Sequence, residues 1–304
     1  MSHTVRADWR CPVCGEHSGR PSWSVAGKAV ECGVAADAFR PSSDTYGRTT
    51  GSVVRCARCG HGSLARLPDA VDVDAAYADA ADPVSLREEA GQVETARRGL
   101  QRVERFVRPG TLADIGCWTG SFLVAAEERG WDGCGVDPSG WAVERARQRG
   151  LRVWQGGLED GSLAERRYRL VAMCDVLEHL PDPVDAARIL GTLVEPGGAL
   201  YLTVPDAGSV LARLMGRRWW SVLPMHLQYF TRRSVRGLLE ASGFTVRSIR
   251  THAKVFSARY YAERLGGYNP VLERVTGNVL EMTGLDRRLV GPNFLDRIEV
   301  VATR

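Results

Sequence analysis

Residues 112–123 read LADIGCWTGSFL, an apolar strand that ends in an acid and turns through two glycines into a helix. This order is typical of the first strand, loop and helix of a doubly wound α/β domain. Gly116 and Gly120 can adopt positive φ angles and bring backbone N–H groups close to a ligand, and the N-terminus of the new helix favours negative charge. We therefore expect a small anionic group to bind at this loop.

Two residues of this stretch argue against a dinucleotide ligand. Trp118 takes the place of the middle glycine in the three-glycine fingerprint of dinucleotide-binding loops. Asp114, at the tip of the strand, would repel a phosphate but would hold an ammonium group. An acid beside a helix N-terminus therefore suits an amino-acid zwitterion, and S-adenosylmethionine carries such a group.

Asp137 ends a second predicted strand, 21 residues after Gly116. An acid at this position is placed to accept hydrogen bonds from both hydroxyls of a ribose. The ligand is therefore predicted to be a nucleoside that also carries a zwitterion.

Three further stretches occur in order after these strands: CDVLEHLPDP at 174–183, LVEPGG at 193–198 and PMHLQYFT at 224–231. With them, roughly residues 75–304 resemble the class I S-adenosylmethionine-dependent methyltransferases of the small-molecule type that carry an N-terminal zinc-binding domain. The resemblance implies an α/β fold with a Rossmann-like, doubly wound seven-stranded sheet and a helical substrate cap. It also implies methyl transfer from S-adenosylmethionine to a sugar, a nucleotide-linked sugar or a secondary metabolite.

The resemblance and the strand ends together predict the residues that bind the cofactor. Asp114, Asp137 and Asp175 follow strands whose carboxyl ends meet at one crevice of an open α/β sheet. Gly157 replaces the acid that related enzymes show beside the adenine, so Leu158 or Glu159 is expected to contact that ring instead. The predicted cofactor residues are Tyr77, Asp114, Gly116, Cys117, Trp118, Gly120, Asp137, Pro138, Leu158, Glu159, Cys174 and Asp175.

Two histidines are candidates for a general base that would deprotonate a hydroxyl acceptor. His179 directly follows the fourth strand, and a helical turn would make it face the same way as Asp175. His226 lies between the core and the predicted cap, where the acceptor must enter. Histidine titrates near neutral pH, but a structural histidine that bonds a loop is the alternative for each.

Four of the eight cysteines form two Cys-x-x-Cys pairs, Cys11/Cys14 and Cys56/Cys59, each followed by a glycine. Two such knuckles complete a tetrahedral shell of four thiolates around a structural Zn²⁺. A redox dithiol is the alternative, although it needs only one pair. Cys32, Cys117, Cys134 and Cys174 lie in apolar or strand contexts and are expected to be small buried side chains.

The chain divides into three parts on composition. Residues 1–68 form a zinc-binding, ribbon-like domain with too little apolar content to stand alone. Residues 69–108 are linker helices over the cofactor site, and apolar residues at helical spacing predict one long helix there. Residues 109–304 are the methyltransferase domain, with a cap inserted at about 252–296.

The overall charge is nearly balanced, with 40 Lys and Arg against 36 Asp and Glu and a net charge of +4. This argues against a nucleic-acid partner, since no long basic run is present. The chain also shows no apolar segment of membrane-spanning length and no leader pattern in its first ten residues. We therefore expect a cytoplasmic protein, and the sequence does not determine its oligomeric state.

Two other functions compete with small-molecule methylation. An RNA methyltransferase would use the zinc domain to grip RNA, which requires a basic, aromatic face that residues 1–68 do not supply. A non-catalytic S-adenosylmethionine-binding protein would keep only a relic of the site, and the intact Asp114, Gly116, Gly120 and Asp137 argue against it.

Overall fold

The computed structural model describes residues 9–23, 46–67, 76–159, 161–163 and 166–304. Its strands are β1 Gly19–Trp23, β2 Val53–Cys56, β3 Gly62–Leu64, β4 Thr111–Ile115, β5 Asp132–Asp137, β6 Val153–Gln155, β7 Tyr168–Cys174, β8 Val194–Pro205, β9 Gln228–Tyr229, β10 Thr245–Thr251, β11 Phe256–Ser257, β12 Leu289–Val290 and β13 Arg297–Thr303. Its α-helices are α1 Glu89–Val103, α2 Ser121–Glu127, α3 Gly140–Gln148, α4 Pro183–Leu193, α5 Val210–Met215, α6 Arg232–Ala241, α7 Ala258–Glu263 and α8 Pro270–Met282.

The central sheet has seven strands in the order β10-β13-β8-β7-β4-β5-β6. Strands β4 to β8 pair in parallel, whereas β13 runs antiparallel to both β8 and β10. The chain proceeds from β4 outward to β5 and β6, then returns to add β7 and β8 on the other side. The direction of winding therefore reverses between β4 and β7, which is where open α/β sheets bind ligands. The predicted seven-stranded, doubly wound fold is confirmed.

Helices cover both faces of this sheet. Side chains of α1, α2 and α3 pack on one face, and side chains of α4 and α6 pack on the other. Strand β7 lies between these layers, and Leu170, Val171, Ala172 and Met173 are fully buried. Burial on both faces explains why this strand reads as a nearly continuous apolar run.

Capping residues fix where three helices begin. The side chain of Ser139 accepts from the N–H of Ala142 at the start of α3, and Thr231 forms a capping box with Ser234 at the start of α6. Helix α4 begins at Pro183, because Asp182 caps it and proline suits the first helical position.

The N-terminal part forms a four-stranded antiparallel sheet in the order β1-β2-β3-β9. Strand β9 belongs in sequence to the methyltransferase part and pairs with β3 through Gly62 with Tyr229 and Ser63 with Gln228. The sequence did not predict β9, because a strand of two residues has no periodicity. The strand predicted over 21–32 lies largely outside the described residues, as does Cys32.

The segment between β10 and β13 contains the β11–β12 hairpin and helices α7 and α8. The segment that the sequence predicts as a cap therefore contains two helices. Within the described residues, we find no helix that combines the length and the apolarity needed to cross a membrane.

One glycine of α1 permits the close approach of the cap segment. A Cβ at Gly91 would lie 2.4 Å from the carbonyl oxygen of Val255 and 2.9 Å from the Cα of Phe256. Both atoms belong to the backbone, so neither can rotate away. Gly237 in α6 is the contrasting case, since it is exposed and a Cβ there would meet nothing within 4 Å.

We expect Gly91→Ala to destabilise the protein by about 1–3 kcal/mol, because overpacking forces backbone shifts. The matched control Gly237→Ala should stabilise it by about 0.5–1 kcal/mol through the lower backbone entropy of alanine. Urea unfolding of the two variants measures both effects. Equal changes in the free energy of unfolding would contradict this account of Gly91.

Candidate active site

A cavity of about 2660 Å³ lies at the carboxyl ends of β4, β5 and β7 and extends beneath the cap. Asp114, Asp137 and Asp175 all line it. Pockets for one small ligand usually measure about 300–1,000 Å³. The cavity therefore has room for a cofactor and a second substrate side by side.

The glycine loop after β4 is shaped by steric limits at two positions. Gly116 has φ +70°, and a Cβ there would lie 2.4 Å from Cγ2 of Val176. Gly120 has φ +81°, and a Cβ there would lie 2.2 Å from Cδ1 of Leu151. A side chain at either position would thus meet both backbone strain and a clash.

The loop does not offer its N–H groups to a ligand in the way the sequence suggested. The N–H groups of Gly116 and Cys117 donate to the carbonyl oxygen of Val136 at 2.9 and 3.0 Å, and Gly120 donates to Cys117 at 2.8 Å. The N–H of Trp118 donates to Oδ2 of Asp137 at 2.8 Å. These four N–H groups are therefore not available to a ligand, because strand β5 and the loop itself use them, and the anion expected at the loop and the helix N-terminus stays a prediction.

The carboxylate of Asp137 is held in one orientation by two backbone donors. Besides the N–H of Trp118, the N–H of Ser139 donates to Oδ1 at 2.9 Å. Burial raises the pKa of Asp137 to about 6, and the two N–H donors oppose this rise. Each carboxylate oxygen keeps a further lone pair that can accept from a ligand hydroxyl.

Asp114 adds a second buried acid on the neighbouring strand. It is 2% exposed, and burial raises its pKa well above the usual value, with a further contribution from the negative charge of Asp137. Two acids in this position favour a bound cation, since a positive charge between them would stabilise both ionised forms.

The structure places nearly all the predicted cofactor residues around this cavity. Gly120 is the exception, because it precedes α2 as its N-cap and does not line the cavity. The ring of Trp118 is fixed by a 3.1 Å hydrogen bond from its Nε1 to Oγ of Ser85. The others that line it are Tyr77, Asp114, Gly116, Cys117, Pro138, Leu158, Glu159, Cys174 and Asp175, besides Asp137.

Asp175 has a role that the sequence did not suggest. Its backbone is left-handed, with φ +58°, and the 3₁₀ turn begins only at Leu177. Asp175 and His179 are therefore not on one face of a helix, which corrects that expectation. The carboxylate of Asp175 forms ion pairs with Lys254 and Arg297 and accepts from Oγ1 of Thr203 at 3.3 Å. Two cations on one carboxylate make it a poor general base.

Lys254 and Arg297 are functional candidates that sequence reasoning missed. Each lines the cavity, and they stand near the two ends of the cap segment, 43 residues apart in sequence. No motif surrounds either residue, so only the fold brings them to Asp175. Burial lowers the pKa of Lys254, with neighbouring acidic groups opposing the change.

The two candidate histidines lie side by side, with ring centroids 4.8 Å apart. Nδ1 of His179 bonds the carbonyl oxygen of Met225 at 3.1 Å, and Nδ1 of His226 bonds that of Ser221 at 2.7 Å. A carbonyl oxygen only accepts, so each Nδ1 carries the proton and each Nε2 keeps a free lone pair. Burial lowers the pKa of His179 to about 4 and that of His226 well below its usual value. Both imidazoles are thus neutral at pH 7.

Glu178 is a third titratable side chain, next to His179 and His226. It is 1% exposed, and its Oε2 has no hydrogen-bond partner within the described part of the chain. Burial raises its pKa to about 8. Glu178, His179 and His226 each place one side-chain donor atom within 4.8 Å of the others. Although Glu178 lies inside the motif at 174–183, sequence reasoning did not select it.

The four cysteines of the two knuckles come together in the N-terminal sheet. Sγ of Cys11 lies 3.7 Å from that of Cys59, and Sγ of Cys14 lies 3.6 Å from that of Cys56. Zn–S bonds of about 2.3 Å in a tetrahedron would separate the sulfurs by about 3.8 Å. The cluster is therefore compatible with a zinc ion.

Comparison with known proteins relates the chain to methyltransferases. The family model described as a methyltransferase domain matches residues 87–249. The ubiquinone biosynthesis O-methyltransferase of Aeromonas salmonicida is 27% identical over 152 residues, which cover 45% of this chain and 64% of that protein. The enzyme of the same name from Stutzerimonas stutzeri is 32% identical over 102 residues, which cover 30% of this chain and 43% of that protein. The chain thus spans less than two thirds of these relatives.

Solved structures show the same kind of similarity at lower identity. A structure from Thermotoga maritima, described as a methyltransferase dependent on S-adenosylmethionine and as a possible histamine N-methyltransferase, aligns with a TM-score of 0.47 at 19% identity. The alignment covers 70% of this chain and 90% of that one.

Proposed function

The chain belongs to the family of methyltransferase domains, and we propose that it transfers the methyl group of S-adenosylmethionine to a hydroxyl of a small molecule. One observation carries this proposal. Asp114 and Asp137 are buried at the ends of adjacent parallel strands, and both face a cavity that is large enough for two ligands. A nucleoside with a cationic amino-acid tail matches this pair of acids.

In this proposal, an acid binds the ribose of the cofactor and a second acid binds its ammonium group. The fixed carboxylate of Asp137 accepts hydrogen bonds from the two ribose hydroxyls, and Asp114 lies where the ammonium group needs an anion. Leu158 and Glu159 line the cavity beyond β6, where they can contact the adenine. Tyr77 packs edge-on against His179, with 5.6 Å between ring centroids, and both side chains line the cavity.

The proposed chemistry needs little from the protein beyond orientation and proton removal. When bound, S-adenosylmethionine supplies an electrophilic methyl group on a sulfonium leaving group. The protein holds the acceptor oxygen in line with that methyl group and excludes water. His226 accepts the hydroxyl proton on its free Nε2, since it lies between core and cap where the acceptor enters. His179 is the second candidate for this role.

The lining of the cap side favours a polar acceptor with a flat or ring-shaped part. Tyr260, Tyr261, Trp220 and Phe294 supply aromatic surface, and Lys254 and several arginines supply positive charge. Of the acceptor classes that the resemblance implies, a sugar or a nucleotide-linked sugar fits this aromatic and positively charged lining. The curated relatives named as O-methyltransferases support a hydroxyl as the acceptor group.

We further propose that Cys11, Cys14, Cys56 and Cys59 hold one structural zinc ion, with residues 1–68 as its domain. A shell of four thiolates leaves no open coordination position, so this metal activates no water. Residues 69–108 then cover the cofactor, and residues 109–304 carry out the transfer, with the cap at about 252–296.

We expect Asp137→Asn to weaken S-adenosylmethionine binding at least about tenfold, because the uncharged amide accepts fewer hydrogen bonds. In the wild type, ligand hydroxyls favour the ionised carboxylate, so affinity should fall as the pH drops through about 6. The asparagine variant should lack this pH dependence. Calorimetry between pH 5 and 8 measures both, with Asp132→Asn at the exposed start of the same strand as control. Wild-type affinity in Asp137→Asn would refute the ribose assignment.

We expect His226→Ala to lower kcat about 10²-fold or more at unchanged cofactor affinity, because a general base contributes about that factor. A base loses activity when it is protonated, so the low pKa of these imidazoles should keep wild-type kcat constant between pH 7 and 6 at saturating cofactor, a range below the pKa of about 8 of the adjacent Glu178. His179→Ala is measured in parallel, with the exposed His17→Ala as control. Near-normal kcat in both core variants would exclude both histidines as the base.

Elemental analysis of the purified protein should give about one zinc per chain under the four-thiolate model. Cys56→Ser should lose the metal and lower the free energy of unfolding, because zinc contributes to folding in domains of this size. Cys134→Ser changes a buried cysteine outside the cluster and should retain the zinc. Full metal content in Cys56→Ser would show that the cluster is not the site.

A further inference from the structure

We propose that Gln228 is a positioning residue. It connects the N-terminal unit, which is formed by the four clustered cysteines and strands β1 to β3, to the loops that carry His179 and His226, and so sets the orientation of both imidazoles. The inference rests on the proposed function for the role of those histidines. It assigns the N-terminal unit a task beyond its own folding, namely to support the site at which the acceptor is deprotonated.

The side chain of Gln228 is 1% exposed and uses its amide group fully. Its Nε2 donates to the carbonyl oxygens of Leu180 and Pro181, both at 3.1 Å. Its Oε1 accepts from Nε2 of His61 at 3.0 Å. Two donors and one acceptor thus join three chain segments at a single buried point.

On the side of the cysteines, His61 is fixed by the second knuckle. It follows Cys59 by two residues, and the N–H of Cys56 donates to its carbonyl oxygen at 2.8 Å. The imidazole is fully buried and lies 4.7 Å from the ring of Phe230. The knuckle therefore determines where the donor to Gln228 stands.

On the side of His179, the loop depends on bonds to its carbonyl oxygens. Pro181 and Pro183 have no N–H, so these two residues donate no backbone hydrogen bond that would hold the loop. Gln228 supplies the missing donors at the two residues that immediately follow His179. It therefore fixes the direction in which the chain leaves the 3₁₀ turn.

The loop of His226 is connected to the same unit through the backbone. Leu227 donates to the carbonyl oxygen of Glu178 at 2.9 Å and accepts from the N–H of Leu64 in β3 at 3.0 Å. Ser63 and Gln228 are then partners in the β3–β9 ladder. Since His179 also bonds the carbonyl oxygen of Met225, a displaced β9 would move both imidazoles together.

This arrangement predicts that loss of the Gln228 side chain changes the orientation of the two imidazoles but leaves cofactor binding unchanged. The cofactor acids Asp114 and Asp137 lie on β4 and β5, which do not contact Gln228 through any hydrogen bond described here. A misplacement of about 1 Å at reacting groups can lower a rate about 10²-fold. Loss of the Gln228 bonds should therefore lower kcat and leave cofactor affinity and metal content intact.

The test compares Gln228→Met, which keeps the length but removes every hydrogen bond of the amide, with Gln228→Glu, which keeps the acceptor toward His61. Arg55→Gln is the matched control, because Arg55 also joins the N-terminal sheet to the core, at the carbonyl oxygen of Ala207, away from both histidine loops. Long-range ¹H–¹⁵N NMR of the imidazoles reports their tautomers. Zinc content, cofactor affinity and kcat are measured on the same samples.

We expect at least one Gln228 variant to keep wild-type zinc content and cofactor affinity while the imidazole signals of His179 and His226 shift and lose the pure Nδ1–H tautomer. Its kcat should fall about 10- to 100-fold, and Arg55→Gln should change neither signals nor kcat. Unchanged imidazole signals in every Gln228 variant that folds would overturn the inference. Unfolding of both variants would overturn it too, because Gln228 would then be a determinant of folding in general.

The NMR and kinetic readouts separate this inference from the proposed function. Shifted imidazole signals with unchanged kcat would support the positioning role and would refute the histidines as general bases. Unchanged signals with a reduced kcat would refute the positioning role alone.

Discussion

The hydrogen bonds that Asp137 accepts from the N–H groups of Trp118 and Ser139 are the constraint on which the cofactor end of the molecule depends. They join the glycine loop after β4 to the start of α3, and they hold a buried carboxylate in one orientation. Burial favours the neutral acid, and the two donors favour its ionised form. The site is therefore ready to accept hydroxyl hydrogen bonds before any ligand arrives, with no further ordering of the side chain.

The end of the cavity beneath the cap is organised by ion pairs. Asp175 forms ion pairs with Lys254 and Arg297, so the two ends of the cap segment are attached to the tip of β7. Beside this cluster Glu178 and His226 are buried and His179 is half-buried, and both histidines stay neutral at pH 7. Near the cap two cations share one carboxylate, whereas the two acids on β4 and β5 have no such cationic partner among the ion pairs described. The unequal distribution favours a cationic cofactor at one end and a neutral or anionic acceptor at the other.

The N-terminal unit is connected to this chemistry through backbone and buried polar bonds. Strand β9 completes its sheet, and the residue that pairs there, Gln228, also bonds the loop after His179. Pro181 and Pro183 of that loop lack an N–H, so the donors of Gln228 add support that these two residues cannot supply themselves. The second cysteine knuckle is the source of this support, since the N–H of Cys56 holds the carbonyl oxygen of His61.

The sequence by itself determined the seven-stranded sheet, the helical segment between its last strands, the two cysteine pairs and the acids at the strand ends. These features depend on local signals, namely apolar runs, glycine turns, capping residues and fixed spacing. The tertiary structure alone decided the pairing of β9 with β3, the ion pairs of Asp175 with Lys254 and Arg297, and the use of the loop N–H groups by Val136 and Asp137. Each of these contacts joins residues that are far apart in sequence or that carry no repeating pattern, so their chemistry depends on geometry that only the packed chain supplies.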